Sequence, residues 1–421
     1  MIQHIRDSVD VLVVGGGTAG TIAAIQAGRA GLRTALVETG SQLGGVTTTG
    51  GVSFPGLFHA WGKQIIAGIG WELVQNAVAL DSGAMPDFST VPQRHWMHQI
   101  RINGPLYAAL AEEACTQASV VLHFYETPVA IDRTSSGWEL ETVGKGIRRT
   151  LSTKQLIDCT GGADVVGMAG IPRLREAETQ PGTLIFKLGG YDVERLNAEA
   201  IQLHFERAYA EGRLQPGDVR NGDVRFISYL KIGGENAQHV HGADASTAAT
   251  HSQTNIAGRV SLLRILRFVR SLPGCEQARI LSAQPETAVR ETYRIVGEVQ
   301  VNHEDYTSGR HFEDAVSFSF YPIDLHDRNG IKPEPLASGI VATVPLGALI
   351  PQGSQNLLVA GRCVSSDRLA NSALRVQASC MGMGQAAGAA AALAVRLETT
   401  PGEVPRHDLH RLLKQHGAIV P

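Results

Sequence analysis

The chain has 421 residues, 43% of them hydrophobic and 18% charged, which is enough to bury a sizeable core spread over two or three structural units. A formal charge of −3, with no Lys/Arg block longer than two residues, implies neither nucleic acid nor an acidic membrane surface as partner. Cys115, Cys159, Cys275, Cys363 and Cys380 are odd in number and make no CxxC pair, which excludes a close-spaced zinc or dithiol site and fits a reducing, cytoplasmic compartment. The N-terminus has no secretory pattern, and no run reaches the ~20 apolar residues of a membrane span.

Val9 to Val14 is a run apolar except for Asp10 and closed by Gly15, the pattern of a strand buried on both faces of a parallel sheet. Thr18 to Ala30 has helical spacing, and Leu32 to Val37 is a second buried strand. A Gly/Thr-rich loop, Gly44 to Gly51, leads to Phe54, Phe58, His59 and Trp61. Helices are expected over Lys63–Ala79 and Gly104–Ala118. Short strands are expected over Val120–Phe124, Val129–Asp132, Trp138–Val143, Arg148–Thr153 and Gln155–Asp158.

Between Pro172 and Ala337 the chain is richer in Pro, His and Arg, with one strand-like run at Thr183–Leu188 and helical runs near Val193–Ala210 and Asn255–Ser271. Val341–Val344 and Leu357–Ala360 regain buried-strand character. A small-residue helix over Gln377–Leu397 and a short one over Arg406–His416 follow. The expected fold class is α/β: a Rossmann-like domain, a parallel sheet with a β-meander, formed by residues 1–171 and 338–398. An α+β substrate domain is inserted over 172–337, and a C-terminal helix occupies 399–421.

Gly15-Gly16-Gly17-Thr18-Ala19-Gly20 is a GxGxxG in the context that gives it meaning, after an apolar strand and opening a helix. Gly15 permits the turn, Gly17 lets backbone approach a pyrophosphate, and Gly20 lets helix and strand touch. Glu38 ends the second strand, where its carboxylate can accept both hydroxyls of an adenosine ribose. This motif alone leaves FAD and NAD open, since both contain ADP.

Further segments resemble those of flavin enzymes. Leu43-Gly44-Gly45-Val46-Thr47-Thr48-Thr49 looks like the loop that runs beside the flavin. Asp158-Cys159-Thr160-Gly161-Gly162-Ala163-Asp164 resembles the turn at which the chain re-enters the dinucleotide fold, and Asn356-Leu357-Leu358-Val359-Ala360-Gly361-Arg362 the second FAD fingerprint. Gly384-Gln385-Ala386-Ala387-Gly388 is similar to the start of the helix that faces the flavin. With Arg290–Glu298 and Tyr321–His326, these resemble the bacterial FAD-dependent oxidoreductase family of the glutathione-reductase-like superfamily over most of the chain, Val9 to Val395. Tyr293 departs from it, standing where the family often has Arg, a sign of a different substrate group.

The resemblance implies FAD as cofactor, with contacts from Gly15, Gly17, Thr18, Ala19, Gly20, Glu38, Thr39, Gly44, Gly45, Val46 and Thr47. It adds Val129, Thr160, Gly161, Gly361, Arg362, Arg375, Gly384, Gln385 and Ala386. No second GxGxxG stands in strand–helix context, so reduction by NAD(P)H is not expected. A small polar molecule is then the hydride donor, and oxygen, a quinone or a carrier protein the electron acceptor. A fumarate-reductase-like reductase and a thiazole-synthase-like enzyme that consumes NAD are the competing readings.

For catalysis, His326 is the expected base, because a near-neutral pKa suits proton abstraction. Asp324, two residues away on a strand, would share its face and orient the ring. Arg290 and Arg294 would share one strand face and hold a carboxylate or polyol, unless they belong to an ion-pair network with Glu291, Glu298 and Asp324. Tyr321 and His59 are competing bases, with His59 as well placed for an aromatic cluster as for the flavin ring. His239, His241 and His251 lack a carboxylate or cysteine at ligand spacing, so no metal is expected.

Overall fold

The computed structural model describes residues 2–92, 94–219, 225–327, 330–331 and 333–421. Its main sheet has seven strands: β1 (Gln3–Val14), β2 (Thr34–Glu38), β3 (Val120–Phe124), β4 (Thr127–Thr134), β5 (Gly137–Gly144), β6 (Ile147–Asp158) and, after the insertion described below, β10 (Leu357–Val359). The order is β3-β2-β1-β6-β5-β4, with β10 beside the C-terminal half of β6. Strands β3, β2, β1, β6 and β10 are parallel, while β4, β5 and β6 form an antiparallel meander.

Two of the expected strands, Arg148–Thr153 and Gln155–Asp158, are one strand, β6. Its first half pairs with β5 and with a polar extension of β1, Gln3 to Ser8; its second half is flanked by the apolar part of β1 and by β10. Helix α1 (Thr18–Arg29) is buried over Thr18–Ala27, held between the sheet and α3 (Gln377–Leu397). The two helices approach backbone to backbone: a Cβ on Gly384 would lie 2.2 Å from the carbonyl oxygen of Ala19, and one on Gly388 2.4 Å from that of Ala23. Helix α3 is long and apolar enough to cross a membrane, but 89% of its apolar window is buried inside the protein.

The insertion carries β7 (Thr183–Gly189), β8 (Gly234–Glu235) and β9 (Arg279–Ala288), an antiparallel sheet ordered β8-β7-β9. With α2 (Ala248–Arg270) it has a core of its own around Leu184, Phe186, Phe205, Phe226, Ile265 and Phe268. Residues after it, from Val301 through Tyr306, Phe312, Tyr321 and Ile323 to Leu336, instead join the core of the main body.

Candidate active site

The turn after β1 places three glycines in three different environments. Gly15 has φ +97°, and a Cβ there would lie 2.5 Å from the carbonyl oxygen of Cys159. A Cβ on Gly20 would lie 1.8 Å from the carbonyl oxygen of Gly15 and 2.9 Å from Cys159 Cβ. At Gly17 nothing lies within 4 Å of the Cβ position, and the residue faces a cleft. Helix α1 starts there with no acidic residue in its first turn and no side-chain cap. Its first-turn N–H groups and the positive end of its dipole therefore open onto the cleft, as a pyrophosphate requires.

Glu38, at the end of β2, lines the same cleft. Gly16 N–H donates to its Oε2 (2.7 Å) and Gly40 N–H to its Oε1 (2.6 Å), so the loops on either side fix the carboxylate. Glu38→Ala removes one charge-assisted ribose contact, about 1.5–3 kcal/mol, and leaves both amides unpaired. Titration of the apoprotein is expected to show FAD binding weakened roughly tenfold to a hundredfold. Unchanged affinity would make Glu38 a loop anchor only.

Asp158, wholly buried at the end of β6, accepts from the Thr160 N–H (3.0 Å), the Thr160 hydroxyl (2.7 Å) and the Val166 N–H (3.0 Å). It thus shapes the turn that turns Thr160 and Gly161 to the cleft. Arg362 ties this turn to two others, donating from Nε to Gly161 O and from Nη1 to Val289 O, both at 2.6 Å. The cleft has a volume of about 1860 Å³. Single small-molecule sites fill about 300–1,000 Å³, so it has room for a dinucleotide and a second molecule.

Away from the glycine turn, the cleft is lined by Arg290, Asp324, His326, Tyr321, Arg375 and His59. His326 Nε2 lies 3.1 Å from Asp324 Oδ2, and its Nδ1 lies 2.9 Å from His239 Nε2. Burial above all, then the charge of Arg290, lowers His326 to a pKa of about 4. Burial alone would raise Asp324, but the hydrogen bond and charge of His326, with Arg375 and Arg290, hold its carboxyl well below the usual range. Arg375 donates to Gln180 Oε1 (3.4 Å) and Asp324 O (3.2 Å), and one of its Nη atoms is 3.7 Å from Asp324 Oδ2. Arg290 reaches Pro181 O and Thr183 Oγ1 (3.1 Å).

A family model described as FAD dependent oxidoreductase matches residues 10–413. The chain belongs to this family. It is an FAD-dependent oxidoreductase, FAD is its cofactor, and the open helix end at Gly17 fits that group. Among solved structures it is similar to a flavoprotein/dehydrogenase from Cytophaga hutchinsonii, at 14% identity and TM-score 0.45, over 97% of this chain and 83% of that one. It is also similar to a geranylgeranyl bacteriochlorophyll reductase-like protein from Thermoplasma acidophilum, at 12% identity and TM-score 0.43, again over 97% and 83%. A third match, OxyS anhydrotetracycline hydroxylase from Streptomyces rimosus, has 14% identity and TM-score 0.34 over 46% of this chain and 41% of that one. No curated protein matches.

In this FAD-dependent oxidoreductase the expected cofactor contacts divide in two. Gly15, Gly17, Thr18, Ala19, Glu38, Thr39, Gly45, Val46, Thr160, Gly161, Gly361, Arg362 and Arg375 line the cleft. Gly20, Gly44 and Thr47 lie behind the wall: Gly44 O accepts from the Thr18 hydroxyl (3.3 Å), and Thr47 Oγ1 donates to Gln377 Oε1 (2.9 Å). Val129 is 46% exposed on β4, and Thr127 and Pro128 face the cleft in its place. Gly384, Gln385 and Ala386 do not open the last long helix. They lie two turns inside α3, packed on α1, with Gln385 bonded to Ile69 N–H and Gln26 Oε1. The end of α3 that reaches the cleft is Val376, Gln377 and Cys380.

The catalytic expectations divide as well. No strand covers residues 290–293, so Arg290 and Arg294 do not share a strand face. Arg294 is 3% exposed and turned away to Glu176 and Ser366 O, outside the cleft. Both ring nitrogens of His326 are engaged, so it presents none to a substrate directly. His59 stacks on Phe88 at 3.8 Å, edge-on to Trp71, as an aromatic-cluster residue that also touches the cleft; burial lowers its pKa to about 4. Tyr321 accepts from Gln99 Nε2 at 3.1 Å. Tyr293, the departure from the family pattern, lies outside the cleft with the Arg173 guanidinium 3.9 Å over its ring. Sequence reading missed Gln180, a buried residue that bridges Glu291, His326 N–H and Arg375 from a segment without any motif. Among the described residues no group of three His, Cys, Asp or Glu could hold a metal ion.

Proposed function

We propose that this enzyme oxidises a small polar substrate, an alcohol, sugar, hydroxy acid or amine, and that a hydroxy acid suits its cleft best. The observation behind this is Asp324, set among His326, Arg375 and Arg290 in the cleft that holds the dinucleotide turn. Bound FAD supplies a two-electron acceptor that takes a hydride at N5. The remaining work falls to the chain's own side chains. The guanidiniums of Arg290 and Arg375 both act on the Asp324 carboxylate, and at this end of the cleft they can orient a substrate carboxylate.

Asp324 takes the proton that the substrate hydroxyl loses as the hydride leaves. In the free enzyme the surrounding cations make it a weak base. A substrate carboxylate beside Arg290 and Arg375 offsets those charges and raises the affinity of Asp324 for the proton when it is needed. Reoxidation by oxygen, a quinone or a carrier protein completes the cycle, and five buried, unpaired thiols fit a cytoplasmic setting. The two-dinucleotide-fold superfamily placement belongs to the same reading.

Anaerobic mixing with hydroxy acids, alcohols, sugars and amines tests the proposal. Bleaching of the flavin by a carboxylate-bearing member is expected, with no useful rate from NADH or NADPH. Rapid bleaching by either nucleotide, and by nothing in the panel, would turn the reading into a reductase.

A further inference from the structure

His326, the hydrogen-bond partner of Asp324, has a second partner, His239, that does not line the cleft. His239 lines a second cavity of about 470 Å³ on the inserted unit, together with His241, Asp327, Glu206 and Tyr209. His239 and His326 are 4% and 3% exposed, and their rings meet at 5.0 Å between centroids and 63° between planes. The bridge between Gly182 and Val240 and the bond from His239 N–H to Gly217 O (2.7 Å) hold His239 in place.

With His326 neutral, as its burial beside Arg290 favours, the two hydrogen bonds that join these three groups allow one arrangement of protons. A carboxylate only accepts, so His326 must carry its proton on Nε2 to bond Asp324. Neutral His326 then has a lone pair on Nδ1, and His239 Nε2, 2.9 Å away, must be the donor to it. Among the described residues, the charged groups that act most on His326 are Arg290, Asp324 and Arg375, with His239 bonded at Nδ1.

We propose that His239 is a positioning residue for the oxidation: by donating to His326 Nδ1 it fixes His326 as the neutral Nε2–H tautomer, and through it the acceptor oxygen of Asp324. A hydrogen bond donated to the lone pair favours the neutral ring over the imidazolium. Were His326 to charge, it would form a full ion pair with Asp324 and remove the carboxylate from use as a base. One imidazole thus sets the tautomer of the next, a role usually filled by a carboxylate or carbonyl. This rests on the reading of Asp324 as proton acceptor, but its test does not.

The test is 15N NMR of the FAD-bound protein carrying labelled histidine, with the His326 signals assigned by their absence in His326→Gln. The expected result is a neutral ring protonated on Nε2 at pH 7 and still neutral at pH 5. In His239→Gln, whose amide can replace the donor, the tautomer is expected to persist. In His239→Leu it is expected to give way to a mixture or to a ring that charges at higher pH. A wild-type proton on Nδ1 would overturn the proposal, as would a His326 signal unmoved in folded His239→Leu. If His239→Leu does not fold, a His239→Gln protein whose His326 tautomer is lost would equally overturn it. Normal bleaching by Asp324→Asn would end the acceptor reading while leaving the tautomer result standing.

Discussion

Asp324→Asn is expected to slow anaerobic reduction of the bound FAD by about 10²–10⁴-fold, the contribution typical of a positioned general base. Asparagine keeps the volume and can still accept one hydrogen bond from His326 Nε2, so the pocket should retain its shape. It cannot take a proton. FAD content should be unchanged, because the residues at the glycine turn, not Asp324, contact the dinucleotide in this account. The measurement is stopped-flow bleaching with whichever panel member reduces the native protein. A rate within about tenfold of native, well short of general-base loss, would show that the carboxylate serves only to neutralise Arg375 and Arg290.

A second pair of variants separates the two jobs of the glycine turn. Gly20→Ala puts a Cβ 1.8 Å from Gly15 O, a backbone atom that cannot swing aside. Overpacking of this kind costs about 1–3 kcal/mol and more when nothing yields, so a large fall in Tm and loss of FAD are expected together. Gly17→Ala meets nothing within 4 Å and keeps an ordinary φ of −69°. Its apoprotein should lose no more than about 1 kcal/mol as a less favourable helix cap, yet its methyl group enters the space the pyrophosphate needs. FAD affinity should fall without the stability loss. Equal Tm values for the two apoproteins would contradict the packing argument, and native affinity in Gly17→Ala would contradict the placement of the pyrophosphate.

What the sequence made legible was governed by burial. Val9–Val14 and Gln155–Asp158 read as strands because both faces are covered and every residue is apolar or paired. Their extensions are Gln3–Ser8, polar but for Ile5 and paired with β6, and Ile147–Lys154, which lies in the meander with burial alternating along mostly polar residues, so the sequence splits strands that the sheet joins. The turn at Gly15–Gly20 was legible because its constraints are local: positive φ, a carbonyl at contact distance and a helix end all fall within six residues. Gly384 to Ala386 misled for a related reason. Small residues record close approach, and here what approaches is α1 and not the cofactor.

The catalytic end was only half legible. His326, Asp324 and Arg290 fall near motif-like runs, but their arrangement depends on Arg375, Gln180 and His239, which lie 49 or more residues from them in the chain or in unremarked loops. Nor does spacing reveal that both nitrogens of His326 are engaged. That follows only from the fold, which brings Asp324 and His239 to the two sides of the His326 ring.

The most direct test of the account is the nucleotide released when the purified protein is precipitated with acid. One FAD per chain in the supernatant is the predicted result, since the helix end at Gly17, the carboxylate of Glu38 and the size of the cleft all suit a non-covalent dinucleotide. FMN, NAD or no nucleotide after reconstitution with FAD would contradict it.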